Sequence, residues 1–146
     1  MAERRDVTLV VEAGKVAEFR AATGLPRDDA AQFAPPTFPV VVEHAGVAFA
    51  DLLVDRGVDL GRVLHGEECI EYPGGPLRVG EQLHGQMWIA GEESREGSEG
   101  SLRLVSVRME LLRADGSTAV TVDRVLVVLG TSRSLAEPPR PPYRSR

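Results

Sequence analysis

Phe38-Pro39-Val40-Val41-Val42-Glu43-His44-Ala45-Gly46-Val47-Ala48-Phe49-Ala50-Asp51-Leu52-Leu53 is the stretch on which the fold turns. Phe38, Val41, Val42, Ala45, Phe49, Leu52 and Leu53 recur at intervals of three and four, the period of a helix. Over residues 40–53 only Glu43, His44 and Asp51 interrupt the apolar run, so this helix needs cover on more than one side. Thr37 is the expected N-cap, Pro39 fits the first turn where its missing N–H costs nothing, and Asp55-Arg56-Gly57 ends the helix.

Downstream the period changes to two. Glu68, Ile70 and Tyr72 alternate with Glu67, Cys69 and Glu71, and Leu83, Gly85, Met87 and Ile89 alternate with Gln82, His84, Gln86 and Trp88. Residues 102–112 and 119–129 read as long strands joined across Ala114-Asp115-Gly116-Ser117, an Asp-Gly hairpin signal. Each long strand slips phase once: Leu102 and Leu104 give way to Val105, Val107, Met109 and Leu111, and Val120 and Val122 to Val125, Val127 and Leu129. Such slips predict a pair of facing bulges and a strongly curved sheet. Residues 92–100, rich in Glu, Ser and Gly, read as a solvated hairpin loop. An apolar helix followed by curving antiparallel strands is the α+β hot-dog arrangement, a sheet wrapped around a central helix. Its long free edges call for a second subunit, giving a double hot dog.

Upstream, residues 7–11 are a short apolar run that fits a strand or the lead-in to a helix. Val16, Phe19 and Ala22 then recur at helical spacing, with a stop at Gly24, before a loop over 25–36. The chain has 146 residues, 17 basic and 22 acidic, for a net charge of −5; 42% are hydrophobic. That is one core-forming domain, expected over residues 1–132, with a Pro- and Arg-rich extended tail over 133–146. The acidic balance argues against a nucleic-acid partner. No apolar run approaches the roughly 20 residues of a membrane span, and the N-terminus lacks a secretory pattern, so a cytoplasmic protein is expected. A lone Cys69 excludes an internal disulfide and a Cys-based zinc site. His44, mid-helix, and His84, on an exposed strand face, have no second ligand at metal spacing, and no cofactor motif is present.

Three stretches resemble the MaoC-like dehydratase family, specifically its N-terminal, fatty-acid-synthase-type half. Val11-Glu12-Ala13-Gly14-Lys15-Val16-Ala17-Glu18-Phe19-Arg20-Ala21-Ala22-Thr23-Gly24 is similar to the family's opening segment. Ala34-Pro35-Pro36-Thr37-Phe38-Pro39 is similar to the entry to its central helix. Arg62-Val63-Leu64-His65-Gly66-Glu67-Glu68, followed by Gly75-Pro76-Leu77-Arg78-Val79-Gly80-Glu81-Gln82-Leu83, is similar to a third motif. The resemblance implies work on fatty-acyl thioesters of coenzyme A or acyl carrier protein. It also implies an Asp and a His in the loop before the central helix, acting on the β-hydroxyl and the α-proton.

This chain departs from that pattern. After Gly24 it reads Leu25-Pro26-Arg27-Asp28-Asp29-Ala30-Ala31-Gln32-Phe33-Ala34, without a histidine. Asp28 and Asp29 read as solvated loop carboxylates or as the cap of a short turn, so no catalytic residue is assigned. The substrate-binding candidates are Pro36, Thr37 and Phe38, in the turn that places the N–H groups of a helix start where a thioester oxygen could accept from them, and His65, Gly66 and Glu67. His65 fits an acyl-tunnel or pantetheine contact, and equally a backbone-bonded strand-edge histidine. The expected role is the acyl-binding, non-catalytic subunit of an R-specific 3-hydroxyacyl-thioester dehydratase (enoyl-thioester hydratase), paired with itself or with a catalytic hot-dog subunit. The alternatives are a homodimeric acyl- or polyketide-binding module, or an active hydratase or thioesterase using Glu67 or another carboxylate.

Overall fold

The structure, a computed structural model, describes residues 3–42, 48–97 and 100–130. Strand β1 (Arg4–Val10) leads into helix α1 (Ala13–Ala22). A 3-10 turn (Phe38–Val40) and helix α2 (Ala48–Val54) follow, then a second 3-10 turn (Leu60–Arg62). Strands β2 (Val63–Glu71), β3 (Gln82–Gly97), β4 (Gly100–Leu112) and β5 (Thr118–Leu129) complete the fold. They form one antiparallel sheet in the order β1-β3-β4-β5-β2.

The 7–11 run resolves as a strand. Val7 and Leu9 alternate inward and pair with Gly85 and Leu83 of β3. Gly85 is required there because a Cβ would lie 1.8 Å from the Glu110 carbonyl oxygen of β4. The inner face of the sheet supplies Leu83, Met87, Ile89, Val105, Val107, Met109, Leu111, Val120, Val122, Leu126 and Val128 to the core. Phe38, Val42, Leu52 and Leu53 meet it from the helical layer, and Phe19 of α1 packs edge-on against Phe38 at 5.5 Å between ring centres.

Four expectations need correction or bounding. The described part of the 38–53 segment begins as a 3-10 turn rather than an α-helix, and Thr37, at φ −94° and ψ 2°, makes no side-chain capping bond. Glu43, His44 and Ala45 lie outside the described residues, as does the 133–146 tail. Residues 92–97 are strand, not loop, and pair with 100–105. The phase slips are also not where the apolar pattern placed them. Register shifts fall between Ile89 and Gly91, between His65 and Glu67, and at Leu111/Leu112, while β4 and β5 run in register from Leu102↔Leu129 to Leu111↔Val120. In β5 the inward phase is unbroken through Val120, Val122, Arg124, Leu126 and Val128. The apparent slip is a charged residue at a core-facing position.

Candidate functional site

Arg124 is 4% exposed, yet it carries a full charge. Its counter-charge comes from β2, where Glu68 sits directly opposite in the register and its carboxylate bonds the Arg124 guanidinium. The Arg124 Nε–H donates to His65 Nε2 at 3.2 Å, and the guanidinium lies 5.4 Å from the centre of the Phe49 ring on α2. The bulge at Gly66 makes this cluster possible. In a regular strand, residues three apart face opposite sides; the extra residue brings His65 and Glu68 to one side, with His65 Nε2 3.5 Å from a Glu68 oxygen. Only glycine fits at the bulge, since a Cβ would meet the Val125 carbonyl oxygen at 2.9 Å and Val127 Cγ2 at 3.2 Å.

The cluster also fixes the imidazole chemically. An arginine cannot accept a hydrogen bond, so its donation to Nε2 requires that nitrogen to be unprotonated and puts the His65 proton on Nδ1. His65 thereby presents an N–H donor from a half-exposed ring. Glu67 points to the other side of the strand, opposite Val125, and does not join His65.

One strand-length away, the Tyr72 hydroxyl donates to the Pro36 carbonyl and ties β2 to the 34–40 turn. Burial, and then the nearby Glu68 carboxylate, push the Tyr72 phenol up to about 12. In the turn, the Phe38 N–H donates to the Pro35 carbonyl at 2.9 Å and the Val40 N–H to that of Thr37 at 3.2 Å. The Val41 N–H is engaged by the carbonyls of Phe38 and Pro39, and Pro36 and Pro39 have no N–H. Of the amides in this turn, that of Thr37 makes no backbone hydrogen bond among the described residues, and Thr37 is exposed, whereas Phe38 is fully buried.

The loop before the turn holds Arg27, Asp28 and Asp29, all exposed. Asp29 takes a bidentate contact from Arg27, at 3.1 and 2.6 Å, and Asp28 Oδ1 accepts from the Ala30 N–H at 3.0 Å. Both carboxylates thus have local partners at the surface, Asp28 as the cap of a short turn. Two shallow grooves lie at the far end of the sheet. One, of about 480 Å³, is lined by Phe33, Gly74, Pro76, Arg78, Glu81, Arg113 and Ser117, and the other, of about 350 Å³, by residues 81–83 and 113–115. Neither includes Thr37 or His65. Among the described residues nothing walls β2 on its outer side: it is an edge strand of the sheet and is exposed from Leu64 to Cys69. Sequence reasoning singled out His65 but missed Glu68, Arg124 and Tyr72; an arginine interrupting a valine-rich strand was the available signal.

A sheet in this order, curled over a helical layer, defines a hot-dog fold. The chain belongs to the family described as FAS1-like, dehydratase domain region, whose model matches residues 2–122. A UPF0336 protein of Thermobifida fusca is 33% identical over 103 residues, 69% of this chain. The match spans 63% of that relative's length, less than two thirds. The C-terminally truncated HadBC (3R-hydroxyacyl-ACP dehydratase) complex of Mycobacterium tuberculosis has a chain that superposes with a TM-score of 0.66 at 21% identity, covering 87% of this chain and 94% of that one. A MaoC-like dehydratase of Phytophthora capsici gives 0.65 at 16%, covering 99% of this chain and 53% of that one. At such identities the likeness shows the fold.

Proposed function

We propose that this chain is the acyl-thioester-holding, non-catalytic subunit of an R-specific 3-hydroxyacyl-thioester dehydratase, a lyase of cytoplasmic fatty-acid metabolism. The functional unit is the 1–132 domain paired with a second hot-dog subunit. Dehydration needs a base for the α-proton and an acid for the departing hydroxyl at one carbon pair, and the partner supplies both. The observation that carries the reading is the loop over 25–33. It has no histidine, its two carboxylates are engaged by Arg27 and the Ala30 amide, and His65 on β2 has its Nε2 occupied by Arg124.

In this reading the acyl thioester, on coenzyme A or a carrier protein, lies along the groove that the partner closes over β2. The Thr37 amide and the His65 Nδ1–H supply donors, Pro36 and Phe38 shape the turn, and Gly66 sets the bulge. The test is hydration of crotonyl-coenzyme A by the purified chain alone and after addition of a hot-dog subunit bearing Asp and His. No turnover alone and turnover in the mixture is expected.

One competing reading, an active hydratase with an atypical carboxylate, draws on the 3.5 Å approach of His65 Nε2 to Glu68 and requires that nitrogen to carry the proton and donate to Glu68 instead of accepting from Arg124. Turnover by the chain alone that disappears in His65→Ala and in Glu68→Gln would establish it in place of the first.

A further inference from the structure

The edge strand β2 carries two carboxylates, Glu67 and Glu71, on one face. It is bonded to β5 on one side only, so along Val63–Glu71 its outward backbone groups have no strand partner among the described residues. Such an edge is a template for a strand of another chain. On the face away from the helices it presents Glu67, Cys69 and Glu71, opposite Val125, Asp123 and Thr121. Glu68 is neutralised by Arg124, but Glu67 and Glu71 have no cationic partner among the described residues; Glu71 receives a hydroxyl contact from Thr121 at 3.4 Å.

These two carboxylates constrain who can pair. A second copy joining β2 antiparallel about a two-fold axis centred on Cys69 would set each Glu67 opposite Glu71 of the other copy. Centred on Glu67, Glu68 or Glu71, that carboxylate would meet itself, and centred on Ile70, Glu71 would lie diagonal to Glu67 and Glu71 of the second copy. Like charges opposed across strands are destabilising, and opposite charges there are stabilising. We propose that the β2 edge of this chain selects against its own copy and for a hot-dog subunit whose facing strand bears Lys or Arg opposite Glu67 and Glu71. Specificity of this kind is built from repulsion of the wrong partner as much as attraction of the right one.

This inference rests on the reading of the chain as one half of a two-subunit enzyme, and its test has no catalytic readout. The experiment is sedimentation equilibrium at neutral pH and low salt on the intact chain, the Glu67→Lys/Glu71→Lys variant and their equimolar mixture. Each alone is expected to be monomeric, and the mixture to form a one-to-one dimer at least about tenfold tighter than either self-association, weakening as salt rises. Glu67→Gln/Glu71→Gln, which removes the repulsion without reversing charge, is expected to self-associate more strongly than the parent chain. Both exposed variants are checked to melt as the parent does; if the lysine pair does not fold, the glutamine pair decides. A parent chain that dimerises or forms longer assemblies as readily as the glutamine variant overturns the proposal, leaving the non-catalytic reading intact. Hydration by the chain alone overturns that reading instead, without altering the mixing result.

Discussion

Arg124 sits among Val122, Leu126 and Phe49 because Glu68 and His65 reach it across the sheet. Removing one member of a buried ion pair strands the other without compensation. Arg124→Met is therefore expected to cost about 3 kcal/mol in chemical denaturation, and adding Glu68→Gln to recover a measurable part of it, since Glu68 would no longer be a lone carboxylate. Additive losses in that cycle would mean the pair is not coupled. Tyr72 offers a pH test. Its ionisation is raised from 10.0 to about 12, so folding favours the neutral phenol. That contribution is complete below pH 10, the unfolded value, and is lost as pH rises through about 12. The melting temperature should fall across that window, and Tyr72→Phe should flatten the fall while removing the tyrosinate phase near 12 from an ultraviolet titration.

At the scale of elements, the Gly66 bulge turns β2 from an edge strand into a site. Gly66→Ala would drive a Cβ into the Val125 carbonyl, and the expected loss of stability is about 1–3 kcal/mol. Hydrogen exchange should show the β2 amides opening faster, with those of β3 and β4 unchanged. The 34–40 turn depends on Phe38, whose ring is fully buried against Phe19; Phe38→Ala is expected to cost about 3–5 kcal/mol. The turn was legible from Pro35, Pro36 and Pro39, and its 3-10 form was not. With proline nitrogens at three of its positions, the short-range bonds from Phe38 and Val40 are the ones available, and the Tyr72 hydroxyl meets the Pro36 carbonyl from outside the turn.

At the scale of the molecule, β1 and β2 are the edges of the described sheet, unpaired among the described residues, and the candidate site lies along the second. The described residues enclose the core but leave β2 exposed from Leu64 to Cys69. Covering that edge is expected to slow exchange at β2 and to quench chemical labelling of the exposed Cys69, which thiol modification in the presence and absence of a partner subunit would measure.

Much was determined by the sequence alone: the two-residue period of β3, β4 and the start of β5, the Asp-Gly hairpin, the motifs shared with MaoC-like dehydratases, and a loop without its histidine. These are properties of near neighbours along the chain, and backbone alternation expresses them locally. Tertiary structure decided that Val125, Val127 and Leu129 face outward while Arg124 faces in. A charge can occupy a core position only if a partner is there to hold it, and that partner, Glu68, is 56 residues away on a different strand. No periodicity in β5 can report a pairing made across the sheet.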